Sequence, residues 1–254
     1  MSFSEEVQQA RTWVARCLGS SVAQCLVEEI KHGPEREVWD CRFTLDGVST
    51  KAILSVFKPG DLQSVNSSLQ PKAAVQKCVL AMSELPQLGI PTASLLGYAS
   101  AAEEAAYLTL KVESTGWHSD VRIEAAAVLA RLHCLEESKL SPALQHLAKV
   151  SDPREYRTTA GEAPIPERKT LVHGDYFSAN ILPVADGLKI LDWETFGWGD
   201  PMWDLGFLIG ADRNVPTLEI EATIREYQKY APVNRQRLQW HQEKWLKFWA
   251  LRSH

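Results

Sequence analysis

Apolar residues recur along this chain with two different periods, and the change of period divides it. Over Ser4–Leu18, the residues Val7, Ala10, Trp13, Val14 and Cys17 fall on one side of a helix. Strand-like stretches follow. Gln24–Ile30 reads as a strand, and His32-Gly33-Pro34 forces a turn. Val38–Leu45 and Ser49–Phe57 flank Asp46-Gly47, a dipeptide suited to a type I′ turn, so this segment is predicted to be a hairpin. Lys58-Pro59-Gly60 ends its second strand. Helical spacing returns over Gln70–Leu85. Gly89-Ile90-Pro91 then opens an extended run toward Leu96, and Tyr107–Val112 alternates like a further strand.

Beyond that point helices dominate. Ile123, Ala126, Ala127, Leu129, Ala130 and Leu132 form the apolar stripe of a helix over Arg122–Leu135, and a shorter one is expected over Pro142–Val150. Leu171-Val172 reads as a short buried strand. Ile181–Pro183 and Lys189–Leu191 read as two more, joined across Val184–Gly187. From Asp204 onward the pattern is largely helical, and the last helix spans about Asn234–Leu251. Strands first and helices later predict an α+β chain. Residues 1–112 would form an antiparallel sheet with a helix, and residues 113–254 a mainly helical part.

Composition narrows the function classes. The 254 residues carry a net charge of -5 with 45% hydrophobic positions, which argues against a disordered chain and a strongly basic nucleic-acid binder. No apolar run is long enough for a membrane span, and the acidic start Met1-Ser2-Phe3-Ser4-Glu5-Glu6 lacks the form of a signal peptide. Five cysteines with no C-x-x-C pair read as the reduced thiols of a cytoplasmic protein. The seven histidines lack zinc-site spacing.

The candidate chemistry lies in Leu171–Leu182 and the following Ile190–Glu194. A carboxylate, Asp175, precedes an amide, Asn180, by five residues, and a second carboxylate, Asp192, follows that amide by twelve. A hairpin turning near Asp186 would set residue 181 opposite 191 and make Asn180 and Asp192 neighbours at its open end. Two carboxylates and an amide oxygen then form a hard oxygen site suited to Mg²⁺ carried by a nucleotide.

The Asp175-to-Asn180 spacing is that of the kinase catalytic loop, with Gly174 where that signature has Arg. Three motifs stand in order: His173-Gly174-Asp175 with Asn180, then Leu191-Asp192-Trp193, then Gly199-Asp200-Pro201-Met202-Trp203-Asp204-Leu205. In this the chain resembles the aminoglycoside phosphotransferase family, kinase-like small-molecule kinases related to choline and macrolide kinases. The resemblance runs from about residue 20 to 210 and is dense over 171–208. It implies a protein-kinase-like bilobed fold and transfer of phosphate from ATP, with Mg²⁺, to a hydroxyl group of a small molecule. Asp175 would be the catalytic base, Asn180 and Asp192 the magnesium ligands, and His173, Asp200 and Asp204 the structural support of the loop. By position, Lys111, Val112 and Glu113 would meet the adenine where the lobes join, and Arg36 would contact phosphate.

The sequence also departs from the family. Where the family places a phosphate-contacting strand lysine, Ile53-Leu54-Ser55-Val56-Phe57 holds Ser55, and the partner glutamate position falls near Cys78. Lys51, Lys58 and Lys77 are the alternative cations, although Lys58 would point to the opposite strand face unless the strand ends in a bulge. His32–Glu37 holds a single glycine and makes a poor phosphate cradle. These departures keep open a pseudokinase that binds nucleotide or a small ligand without transfer. A metal-dependent phosphohydrolase using His173 and Asp175 would need further ligands at metal spacing, and none is found.

Nine tryptophans are unusual, and six lie beyond residue 190. Trp193, Trp203, Trp245 and Trp249 read as core packing, whereas Trp198 and Trp240 are the candidate substrate contacts. From Asn234 onward five basic residues stand against one acid, Glu243, which argues against a polycationic acceptor. The expected partners are a nucleotide and a small-molecule acceptor, with neither nucleic acid nor membrane, for a monomer or homodimer.

Overall fold

The computed structural model describes residues 3–20, 25–32, 36–59, 70–150, 168–212 and 215–251. They fall into two compact units, residues 1–83 with 93–113, and residues 84–92 with 114–254.

In the first unit, helix α1 (Phe3–Leu18) is followed by strands β1 (Leu26–His32), β2 (Arg36–Leu45) and β3 (Val48–Phe57). Helix α2 (Pro71–Glu84) intervenes before β4 (Leu95–Ser100) and β5 (Ala105–Leu110). The strands form one antiparallel sheet in the order β1-β2-β3-β5-β4. Asp46 and Gly47 both adopt positive φ, the mirror-image turn that the right-handed twist of a hairpin demands. The apolar stripe of α1 is buried as expected: Ala10, Trp13, Val14 and Cys17 form one core with Trp39, Cys41, Phe43, Leu54 and Leu108. The thiols of Cys17 and Cys41 are pushed by burial up to about 12, so neither is a reactive thiolate.

The second unit is built on α3 (Ser119–His133), α4 (Pro142–Val150), α5 (Pro201–Gly210), α6 (Thr217–Gln228) and α7 (Arg235–Leu251). Two small antiparallel pairs complete it. One joins β6 (Thr170–Val172) to β9 (Gly197–Gly199), and the other joins β7 (Ile181–Val184) to β8 (Gly187–Ile190). Residues 84–92 belong here because Thr92 bridges Ile190 and the Ile190 N–H donates to the Pro91 carbonyl.

The β7–β8 register differs from expectation by one residue. Ile181 faces Ile190, not Leu191. The two-residue loop Ala185-Asp186 closes the hairpin more tightly than a turn centred on Asp186. Asn180 is therefore opposite Leu191, whose N–H donates to the Asn180 carbonyl at 2.9 Å, and Asp192 is the next residue along. The β9 strand was not legible in the pattern, since Gly197-Trp198-Gly199 is too short to show alternation. No helix among the described residues is long and apolar enough to cross a membrane.

Candidate active site

Strand β6 ends at Val172, and the chain then turns sharply at Gly174. Its φ of +84° lies in the left-handed region, and a Cβ there would lie 2.6 Å from the Thr195 carbonyl oxygen. Only glycine fits, which explains why the residue before Asp175 is not the arginine of the protein-kinase signature.

The buried Asp204 carboxylate holds this turn in place. It accepts the His173 N–H at 2.6 Å and the Gly174 N–H at 2.9 Å, while His133 Nε2 lies 3.3 Å away. Trp203, beside it on α5, donates its indole N–H to the Gly174 carbonyl at 3.1 Å. His173 is fully buried and bonded at both ring nitrogens. Nδ1 accepts the Asp175 N–H at 3.1 Å, and Nε2 donates to the Leu191 carbonyl at 2.8 Å. Burial holds its pKa below the ordinary value against the opposing pull of Asp204 and Asp175. A neutral imidazole with both nitrogens engaged is a brace between the Asp175 loop and the Asp192 segment, not an acid or base.

Asp175 is partly exposed, and Asn180, at the end of a short 3-10 turn over Ser178–Asn180, is buried. The Asn180 side-chain amide donates to the Asp175 carboxylate and to its backbone carbonyl, each at 2.9 Å. With its N–H groups so engaged, Asn180 offers its Oδ1 to a cation. Asp192 adopts φ +61°, ψ +61°, a left-handed conformation uncommon outside glycine and a recurring mark of functional positions. An amide oxygen and a carboxylate fit the oxygen preference of Mg²⁺, which takes few protein ligands and completes its shell with phosphate and water. Among the described residues, no group of three His, Cys, Asp or Glu side chains gathers as a metal site.

Asp200 caps α5 by accepting the Met202 N–H at 3.1 Å. It also accepts from Arg237 and, at 2.6 Å, from His241 Nε2, both on α7. Burial pushes its carboxyl up, but the bonds from His241, Arg237 and Met202 outweigh this and hold it below the ordinary value. Arg237 and His241 were not singled out in the sequence; lone charges on a polar helix face carry no signal until a partner is known. The same is true of Ser178, which donates to Asp212, itself paired with the buried Arg122 at 2.8 Å.

The nucleotide-contact candidates lie in the first unit, and two of the four are in ion pairs. Lys111 pairs with Asp40 and Glu113 with Lys51, while the Arg36 guanidinium lies over the Phe57 ring at 5.9 Å. Val112 is half-buried. Ser55 and Cys78 are both buried. Lys58 pairs with the buried Glu37 on the neighbouring strand, while Lys77 is buried on α2. The glycine of the His32–Glu37 segment lies outside the described residues.

Of the late tryptophans, Trp193 and Trp245 are buried, with Trp245 stacked on Phe207 at 3.7 Å. Trp198 lines a cavity of about 730 Å³ with His133, Cys134, Arg168, Lys169 and Thr170. Trp240 does not line it; the Lys244 ammonium lies 4.9 Å over its ring. The side chain of Trp249 lies outside the described residues.

Residues 57–241 match the model of a phosphotransferase enzyme family, APH. Solved structures with the same fold include the streptomycin–ATP–APH(2″)-IIa ternary complex, with a TM-score of 0.62 at 12% identity over 98% of this chain and 89% of that one. Another is the aminoglycoside phosphotransferase APH(3″)-Id from Streptomyces rimosus, with a TM-score of 0.53 at 18% identity over 87% and 92% of the chains. A choline/ethanolamine kinase family protein from Mesorhizobium loti gives 0.55 at 16% identity over 89% and 77%. No curated protein matches in sequence.

Proposed function

This chain belongs to the phosphotransferase enzyme family, and within it we propose an active kinase that moves a phosphoryl group from Mg-ATP to a hydroxyl of a small molecule. The observation that carries the reading is the Asp175–Asn180 pair on a loop held by Asp204, with Asp192 following on the opposite side of the hairpin mouth. A partly exposed carboxylate oriented by a buried amide supports transfer over binding alone.

In this mechanism the Asp175 carboxylate accepts the proton of the acceptor hydroxyl. The hydroxyl oxygen forms the new P–O bond as the bond to the ADP leaving group breaks. Asn180 fixes the carboxylate through one hydrogen bond and the loop backbone through the other. His173 stays neutral and keeps the Asp175 segment in register with Leu191. Asn180 Oδ1 and the Asp192 carboxylate would hold Mg²⁺, which when bound neutralises charge on the phosphates. Lys58, neutralised by Glu37 at the end of β3, is the candidate phosphate cation in place of Ser55. The acceptor is a neutral or anionic hydroxyl compound rather than a polycation, given the basic bias of α7, and Trp198 is its candidate aromatic contact.

A catalytically weak, pseudokinase-like protein is the second reading, favoured by the buried Ser55. The two separate in one experiment. Melting temperature is measured with millimolar Mg-ATP, then ATP consumption is followed over a panel of hydroxyl compounds for wild type and Asp175→Ala. Turnover that vanishes in the variant supports the kinase. Stabilisation without turnover supports the second reading, and absence of stabilisation overturns both nucleotide-dependent readings.

A further inference from the structure

The catalytic loop touches neither Arg237 nor His241 in any bond described above, yet a continuous chain of contacts leads from these α7 residues to Asp175. Arg237 and His241 are both buried and converge on the Asp200 carboxylate. Asp200 is the residue at which α5 begins, and its other oxygen accepts the Met202 N–H. One and two residues further on, Trp203 and Asp204 take hold of the Gly174 turn at its carbonyl and at two N–H groups. Asp175 is the next residue.

The α5–α7 interface is too close to be incidental. A Cβ at Gly206 would lie 2.8 Å from His241 Cβ, and one at Gly210 would lie 3.2 Å from Gln242 Cγ. Phe207 stacks on Trp245, and Trp203 meets both His241 and Trp245 edge-on. Glycines four apart place a groove on one face of α5, and α7 lies in it.

We propose that Arg237 and His241 are positioning residues for phosphoryl transfer, acting through Asp200 and the first turn of α5 on the Gly174–Asp175 loop. The physical reason is geometric. Asp204 can accept the His173 and Gly174 N–H groups together only if the start of α5 is held in one place. A single backbone cap at Met202 leaves the Asp200 carboxylate free to pivot, whereas two further donors from α7 define its position. The C-terminal helix is thereby part of the catalytic apparatus. The proposal rests on the kinase reading for its catalytic consequence, but its structural half does not.

The test uses the full chain with Arg237→Gln, Arg237→Lys and His241→Gln. Amide hydrogen exchange is followed at His173 and Gly174, with the β7–β8 hairpin of the same unit as the reference. If the proposal is right, exchange at His173 and Gly174 rises about tenfold or more in Arg237→Gln while the hairpin is unchanged, because the opening is local. Arg237→Lys, which keeps the charge, recovers part of the protection. In a turnover assay, kcat falls about tenfold or more with KM for Mg-ATP within roughly twofold, the pattern of a lost transition-state interaction. A uniform rise across both segments, or no rise, overturns the proposal. Should Arg237→Gln fail to fold, His241→Gln gives the same reading. If no turnover is found in wild type, the kinase reading fails while the exchange result still decides the positioning role.

Discussion

Asn180 donates its side-chain amide twice to one residue, to the carboxylate and to the backbone carbonyl of Asp175. The amide therefore orients the candidate base and closes its loop, while its oxygen is left for a cation. In the proposed mechanism this one side chain would couple proton acceptance to metal binding.

Loss of the base gives the sharpest expectation. Asp175→Asn keeps the shape of the loop and removes proton acceptance, so turnover should fall about 10²–10⁴-fold. Stabilisation by Mg-ATP should persist, as read by the shift in melting temperature.

The metal ligands should separate from the base by their ion dependence. If these residues hold Mg²⁺, Asn180→Ala removes an amide oxygen and Asp192→Asn a carboxylate charge, so the Mg²⁺ concentration for half-maximal stabilisation by ATP should rise about tenfold or more. A magnesium titration at fixed ATP reads this directly. Asp175→Asn should leave that midpoint close to wild type.

Asp204 is expected to behave as a structural residue with a functional address. Asp204→Ala leaves two buried N–H groups without acceptors, at about 1–3 kcal/mol each. Urea denaturation should show the loss as a lower midpoint with an unchanged slope.

Acid should destabilise the second unit in two stages. His173 is held neutral by burial, so its pKa when folded lies below the ordinary 6.5. The unfolded chain then binds the proton first, and stability falls as pH drops below about 6.5 and through the lower folded value. Asp200 is likewise depressed below 3.8, so its contribution is complete above that value and is lost as pH falls through its folded pKa. Urea midpoints from pH 8 to 2 should decline in both stages, and His173→Gln should flatten the stage that begins at pH 6.5.

Lys58 offers a test of how the chain manages with Ser55. Lys58→Met retains the apolar stem and removes the cation. If Lys58 contacts phosphate, KM for Mg-ATP should rise about tenfold with a smaller change in kcat. An unchanged KM would assign the Lys58–Glu37 pair to the sheet alone.

Much of this architecture follows from the sequence taken by itself. The Asp46-Gly47 hairpin, the α1 stripe and the Asp175–Asn180–Asp192 spacing are legible because each depends on residues close together in the chain. Turn chemistry and side-chain period act over that range. Even there a single turn residue mattered: a two-residue loop set Ile181 against Ile190, a register no hydrophobic pattern distinguishes in so short a pair.

Tertiary structure alone decided the partners of the charged residues. Asp200 meets Arg237 and His241 from 37 and 41 positions away, Arg122 meets Asp212 from 90, and Lys58 meets Glu37 from 21. A charge on a helix or strand has the same local signature whether it faces water or a buried carboxylate. Which of the two it faces depends on where packed elements come to rest, here on α7 seating against the glycines of α5.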